Sequence, residues 1–104
     1  MARKQGGLLG MVDYLVLAMI VSSRGEAYAI QLRKRLTERT GVGMARTTVY
    51  GALDRLVADG ALKTRTDQPG GDLGGPIRTC WLITKKGRQR LKETGHAVWS
   101  VLGK

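Results

Sequence analysis

The hydrophobic period of the chain changes at Gly60, and that change limits the folds open to it. Before it, "RTTVYGALDRLVADGAL" (46–62) places Val49, Leu53, Leu56 and Val57 at the spacing of an amphipathic helix. After it, "ALKTRT" (61–66) alternates apolar with basic and hydroxyl residues, as a strand does. "IRTCWLI" (77–83) reads as a second strand rich in bulky side chains. The Gly-rich "DQPGGDLGGP" (67–76) is a loop that joins the two into a hairpin. Gly60 can close the last turn of the helix in the left-handed conformation.

Two more helices are expected upstream. Residues 11–22 are apolar on nearly all sides (Val12, Leu15, Val16, Leu17, Met19, Ile20), which suits a helix covered by its own domain and by something else. Residues 27–40 carry Ile30, Leu32 and Leu36 together with Arg33, Lys34, Arg35 and Arg39, and Gly41 and Gly43 follow. Three short helices, the last two separated by a glycine-containing connection, form a helix-turn-helix pattern. Downstream, Thr84 caps a last helix with Leu91, Val98, Val101 and Leu102 along one side. The order is helix, helix, helix, strand, strand, helix. It predicts an α+β, mainly α fold: a winged helix-turn-helix over residues 8–83, with one appended helix over 84–104. Residues 1–7, with Arg3 and Lys4, read as a loose basic arm.

A chain of 104 residues supports one core. Its 18 Lys and Arg against 8 Asp and Glu give a net charge of +10. In so small a chain that balance points to a polyanionic partner, most often nucleic acid, with a basic surface kept for solubility as the bland alternative. One Cys cannot form an internal disulfide, which predicts a reducing cytoplasm. One Cys and one His make no structural zinc site, and no metal or cofactor is expected. The basic start and the apolar run behind it are like those of a signal peptide. Asp13 interrupts the run, no small-x-small cleavage site follows, and residues 8–21 are too few to span a bilayer. The reading is a buried helix in a cytoplasmic protein that contacts no membrane.

The start of the 46–62 helix carries a cation, two hydroxyls and a tyrosine. In helix-turn-helix proteins this end enters the major groove. Arg46 can bond guanine or clamp a phosphate, and Thr47 and Thr48 can bond phosphates or touch a thymine methyl. Either threonine could instead cap the helix. The Tyr50 hydroxyl can reach the DNA backbone or a base edge, or its ring can pack under the wing. Arg55 points elsewhere and can pair with Asp59. In the hairpin, Lys63 and Arg65 alternate with Leu62 and Thr64, so the two cations share one face. With Arg78 they are expected to touch phosphates or the minor groove, the alternative being a solvated edge protected by charge. Arg33, Lys34, Arg35 and Arg39 add attraction for DNA or form an ordinary solvated face. "GGDLGG" lacks the GK[ST] ending of a phosphate loop and leads into a strand.

Three stretches resemble the PadR family of bacterial transcriptional regulators, over about residues 8–91. "LLGMVDYLVLAMI" is similar to the family's first helix. "TTVYGALDRLVADGAL" is similar to its recognition helix, and "GGPIRTCWLITKKGRQRL" to its second wing strand and the helix that follows. The chain departs from the pattern at Ile77, where an Arg is usual. It departs again at Cys80 and Trp81, which replace an aromatic pair, and at Ala27 and Ala29, which stand in place of Gly and Glu. Its tail resembles that of the small subgroup without a long C-terminal domain.

The resemblance implies sensing of a phenolic or other planar hydrophobic effector near a dimer interface. Met19, Trp81 and Trp99 are the candidate lining residues, and Trp99 reads equally as an interface anchor. Leu15 on the first helix, with Leu91, Val98 and Leu102 on the last, form the expected dimer seam, and Gly95 allows close approach there. Cys80 reads as a redox sensor or, beside Trp81, as a buried inert thiol. Together these residues predict a homodimeric, sequence-specific repressor of transcription. It would bind an inverted repeat in double-stranded DNA and be released when an effector alters the dimer geometry. The rival is a winged helix that binds an acidic protein partner without reading DNA sequence. Catalysis is not expected, because His96 has no Cys–His or Ser–His–Asp set around it and no carboxylates pair in a motif.

Overall fold

The computed structural model describes residues 7–67 and 77–103. The basic arm expected at the N-terminus and the glycine-rich loop of the hairpin therefore lie outside the described residues, arm residue Gly7 and loop residue Asp67 excepted. The elements run α1 (Met11–Ser22), β1 (Glu26–Tyr28), α2 (Ala29–Thr40), α3 (Arg46–Ala58), β2 (Leu62–Asp67), β3 (Arg78–Ile83) and α4 (Lys85–Gly103). The mainly helical α+β order expected from the periodicity is present, with one addition. Residues 26–28 are a strand, and α2 starts at Ala29 instead of residue 27.

β1 is three residues long, too short to display a period of two. Only its pairing with β3 makes it a strand, with Ala27 opposite Trp81 and Tyr28 opposite Cys80. β2 pairs with the other edge of β3, from Leu62 opposite Ile83 to Asp67 opposite Arg78. The antiparallel order is thus β1-β3-β2. β3 is the central strand, and its neighbouring residues Cys80 and Trp81, on opposite faces, are both buried, which accounts for the bulky side chains at its middle. Leu62, Trp81 and Ile83 turn inward onto the helices and join the core. Tyr28, Lys63, Arg65 and Arg78 lie on the other face, as the pairing register requires.

α1 runs through the centre and packs against α2, α3 and α4. Val16, Leu17 and Ile20 from α1, Leu32 and Leu36 from α2, and Leu53 from α3 are fully buried. On α3 the inward stripe is Val49, Ala52, Leu53 and Leu56, whereas Val57 is 37% exposed. The helix ends as its sequence suggests. Gly60, at φ 82°, follows the last turn, and Ala61 N donates to Leu56 O at 2.8 Å. Gly60 N also donates to Val57 O at 3.0 Å, and the two hydrogen bonds make the closure in which glycine avoids the Cβ clash of the left-handed region.

α4 is tied to this corner. Thr84 Oγ1 accepts from Gly87 N at 3.0 Å, so Thr84 caps α4, and Thr84 N donates to Ala61 O at 3.0 Å. The first half of α4 covers α1. Leu91 is half-buried against the core, and Thr94 Oγ1 accepts from Leu9 N at 3.0 Å. Gly95 also meets the chain's own α1, since a Cβ there would stand 3.0 Å from the Tyr14 hydroxyl. Arg55 pairs with Asp13 of α1 at 2.7 Å and not with Asp59. Asp59 instead holds Arg90 and Lys86 of α4. Arg55 thus bonds to α1, which packs against α3, and Asp59 to the start of α4, instead of to one another.

Candidate nucleic-acid interface

The turn before α3 is held by α2. Gly41 ends α2 in the left-handed conformation, Val42 N donates to Thr40 Oγ1 at 3.1 Å, and Arg33 Nε donates to Met44 O at 2.9 Å. α3 then begins after Ala45, with no side-chain cap. Neither Thr47 nor Thr48 caps the helix. Both hydroxyls, with Arg46, lie on the exposed first turn.

Arg46 is supported from below. Its guanidinium carbon stands 5.3 Å from the centre of the Tyr50 ring, and that ring meets Trp81 edge-on at 5.9 Å and 77°. Trp81 is 8% exposed and anchored in the sheet. The series runs from a buried indole through a half-buried phenol to an exposed cation. Each contact narrows the freedom of the next group outward, and the cation gains from the ring's negative face. Tyr50 therefore packs against a wing strand and also steadies Arg46.

Between α2 and α3 lies a groove of about 570 Å³, lined by Ile30, Arg33, Lys34, Thr37, Arg46 and Tyr50 among others. Ile30 is 81% exposed. The buried stripe of α2 is Ala29, Leu32 and Leu36, and Ile30 lies one position round from it. Arg35 is turned back onto Ser23 and is part of the α1–α2 junction.

On the outer sheet face, Lys63 and Arg78 are exposed. Arg65 is engaged by its own chain. Its Nε and Nη2 donate to the two Asp67 oxygens at 2.8 and 3.0 Å, and its Nη1 donates to Glu26 Oε1 at 3.2 Å. Expected to reach phosphate, Arg65 has a carboxylate oxygen at each of its three nitrogens: Asp67, two residues on along the same face, takes two, and β1 brings Glu26 to the third. The Tyr28 hydroxyl donates to Asp67, and the Arg78 guanidinium carbon stands 5.1 Å from the centre of the Tyr28 ring. Glu26 and Tyr28 carried no signal in the sequence, since nothing local marks β1 as a strand. Cys80 is buried beneath this layer, and burial pushes its thiol up, away from the reactive thiolate.

The Arg65 fork, reinforced by the Tyr28 hydroxyl, holds the Asp67 carboxyl down at about 2 from an ordinary 3.8. A carboxylate depressed on folding contributes stability that is present above its unfolded value and lost as pH falls through its folded one. The expected result is an Asp67 carboxyl that titrates near pH 2 by carbon-detected NMR. Wing resonances should lose dispersion between about pH 4 and 2 in the native chain and show no such step in Asp67→Asn. A midpoint near 4 would show that the fork does not hold the carboxylate.

Met19 and Trp81 are both in the core, and Trp99 is 72% exposed on α4. Neither the α2–α3 groove nor a second one around Ser23 and Arg35 is lined by any of the three. Leu15 and Leu91 are half-buried within their own chain, whereas Val98 and Leu102 are exposed beside Trp99 and Val101. Among the described residues no cluster of His, Cys, Asp or Glu could hold a metal ion, and no helix is long and apolar enough to cross a membrane.

A helix-turn-helix with an exposed Arg-Thr-Thr tip, backed by a sheet whose hairpin carries further cations, defines the winged-helix class of DNA-binding proteins. The transcriptional regulator PadR-like family model matches residues 16–93, and the chain belongs to that family. The family is one of transcriptional regulators, not enzymes. A PadR family transcription regulator from Clostridium difficile is similar in structure, with a TM-score of 0.73 at 21% identity over 90% of this chain and 92% of that one. A PadR family transcriptional regulator from Eggerthella lenta is 30% identical, with a TM-score of 0.67 over 85% of this chain and 73% of that one. Bacillus subtilis PadR, solved in complex with operator DNA, has a TM-score of 0.67 at 20% identity over 80% of this chain and 45% of that one. A search of curated protein sequences returned no match.

Proposed function

We propose that this DNA-binding regulator is a cytoplasmic homodimeric repressor that reads an inverted repeat. The observation that carries the proposal is the uncapped, exposed Arg46-Thr47-Thr48 turn braced through Tyr50 on Trp81. An arginine braced at a helix start suits base readout, which needs fixed donor geometry. Lys63 and Arg78 on the wing, with Arg33 and Lys34 on α2, flank that tip and suit phosphates. Arg65 acts with Asp67 and Glu26 to stiffen the wing stem. The operator complex of Bacillus subtilis PadR supports the same use of the fold.

Residues 84–104 form the dimerisation helix in this reading. Val98, Val101 and Leu102 are apolar and exposed, which is costly for a helix without a partner. A planar hydrophobic effector bound near Trp99 at that seam would release the operator by favouring a spacing of the two α3 tips that no longer matches adjacent major grooves.

Selection of bound duplexes from a random pool tests the proposal. The expected product is an inverted repeat with half-sites about one helical turn apart. Affinity for it should fall with salt at a log–log slope of about 0.9 per phosphate contacted. Binding that enriches no sequence at moderate salt would point instead to a winged helix used for protein contacts.

A further inference from the structure

The α2–α3 groove carries one side chain that its chemistry does not explain. Ile30, Arg33, Lys34 and Thr37 recur at helical spacing along the edge of α2 that lines the groove, and Arg46 and Tyr50 line it from α3. The cations suit a polyanion. Ile30 is a branched hydrocarbon, 81% exposed, on the first turn of α2. It makes no part of the buried stripe, so folding gains little from it.

We infer that Ile30 is a specificity residue that packs against the C5-methyl of a thymine next to the bases read by Arg46. The inference rests on the DNA-binding reading above. In a duplex, phosphates and most base edges in the major groove are polar, and the thymine methyl is the apolar group displayed there. An exposed aliphatic side chain set among Arg33, Lys34 and Arg46 therefore has one complementary feature on the partner those cations select. The contact selects thymine over cytosine, which lacks the methyl. Ile30 carries no charge, so it adds selectivity without steepening the salt dependence.

The probe is the duplex enriched by selection, with each thymine replaced in turn by deoxyuridine, a change that removes the methyl and nothing else. Affinity is followed by fluorescence anisotropy for the wild-type chain and for Ile30→Ala, whose fold is checked by circular dichroism. Wild type is expected to lose about three- to fivefold per half-site at one symmetry-related pair of positions, the size of one buried methyl. Ile30→Ala should bind the thymine duplex as weakly as wild type binds the uracil duplex, ignore the substitution at that pair, and keep the wild-type salt slope. If Ile30→Ala retains the full uracil penalty, another residue reads the methyl and the inference is overturned. Equal weakening on both duplexes would make Ile30 a sugar contact and overturn it too. Failure to enrich any sequence removes the DNA-reading proposal and this one with it, whereas a clear inverted repeat with no uracil-sensitive position removes this one alone.

Discussion

Arg46→Ala is expected to weaken operator binding by about 1–3 kcal/mol per half-site, the range for one bidentate base contact. A two-fold complex carries two such sites, so the loss counts twice in the free energy. Arg46 is restrained before it meets a base. The guanidinium lies over the Tyr50 ring, and that ring rests on Trp81. A side chain already narrowed to few rotamers gives up less entropy when it binds a base than a free arginine does. Alanine at 46 should also relax the preference at one base pair of each half-site. Lys63→Ala is the contrast. As a phosphate contact it should weaken all sequences alike and lower the salt slope by about 1. Competition against single-position operator variants reads both effects. An Arg46→Ala chain with unchanged affinity and unchanged base preference would remove Arg46 from the reading set.

The second large effect concerns stability. Gly87→Ala should lower it by about 3 kcal/mol or more, beyond the usual cost of one extra methyl in a packed site. Helix propensity alone predicts the opposite sign, since alanine gains about 1 kcal/mol over glycine inside a helix. The reason lies at the corner where α3, β2 and α4 meet. A Cβ at 87 would stand 2.1 Å from the Ala61 carbonyl oxygen and 2.8 Å from Ile83 Cγ1. That carbonyl cannot simply retreat. It accepts from Thr84 N, and the amide of the same residue closes α3 by donating to Leu56 O. Relief therefore requires α4 to lift from the sheet or α3 to lose its closing turn. Gly95→Ala is the control, because the atoms nearest its new methyl belong to the Tyr14 side chain, at 3.0 Å and beyond. Thermal melts at one protein concentration separate the two, with a shift of about 4–8 °C for each kcal/mol in a chain of this size. A Gly87→Ala melt at or above wild type would mean that the corner is looser than its contacts imply.

The two halves of the candidate site were legible to different degrees. The α3 tip could be found from sequence because Arg46, Thr47 and Thr48 open a helix whose apolar stripe is unambiguous. Whether the threonines cap that helix could not be read, because the helix starts behind Ala45, a residue with no capping side chain, ahead of the point that N-cap preference favours. Tyr50 had two readings, and its contacts with Trp81 and Arg46 give it a packing role that also serves the tip. Arg65 looked equivalent to Lys63, two residues away on the same face. Its difference comes from Glu26, 39 residues earlier, and from Asp67 beside it. Ile30 groups with Leu32 and Leu36 only by its apolar character, since at about 100° per residue it falls on the far side of the helix from Leu32.

The order of helices and strands, the closure of α3 at Gly60, the Thr84 cap, the cationic tip and the family pattern were all set within short stretches of chain. Backbone sterics, capping bonds and side-chain period act over a few residues, so they leave a local trace. The third strand, the Arg55 bond to Asp13 across 42 residues, the Arg65 bond to Glu26 across 39 and the intolerance at Gly87 were decided by tertiary contact alone. Each depends on which distant groups the packed core brings within bonding distance, and no neighbouring residue encodes that.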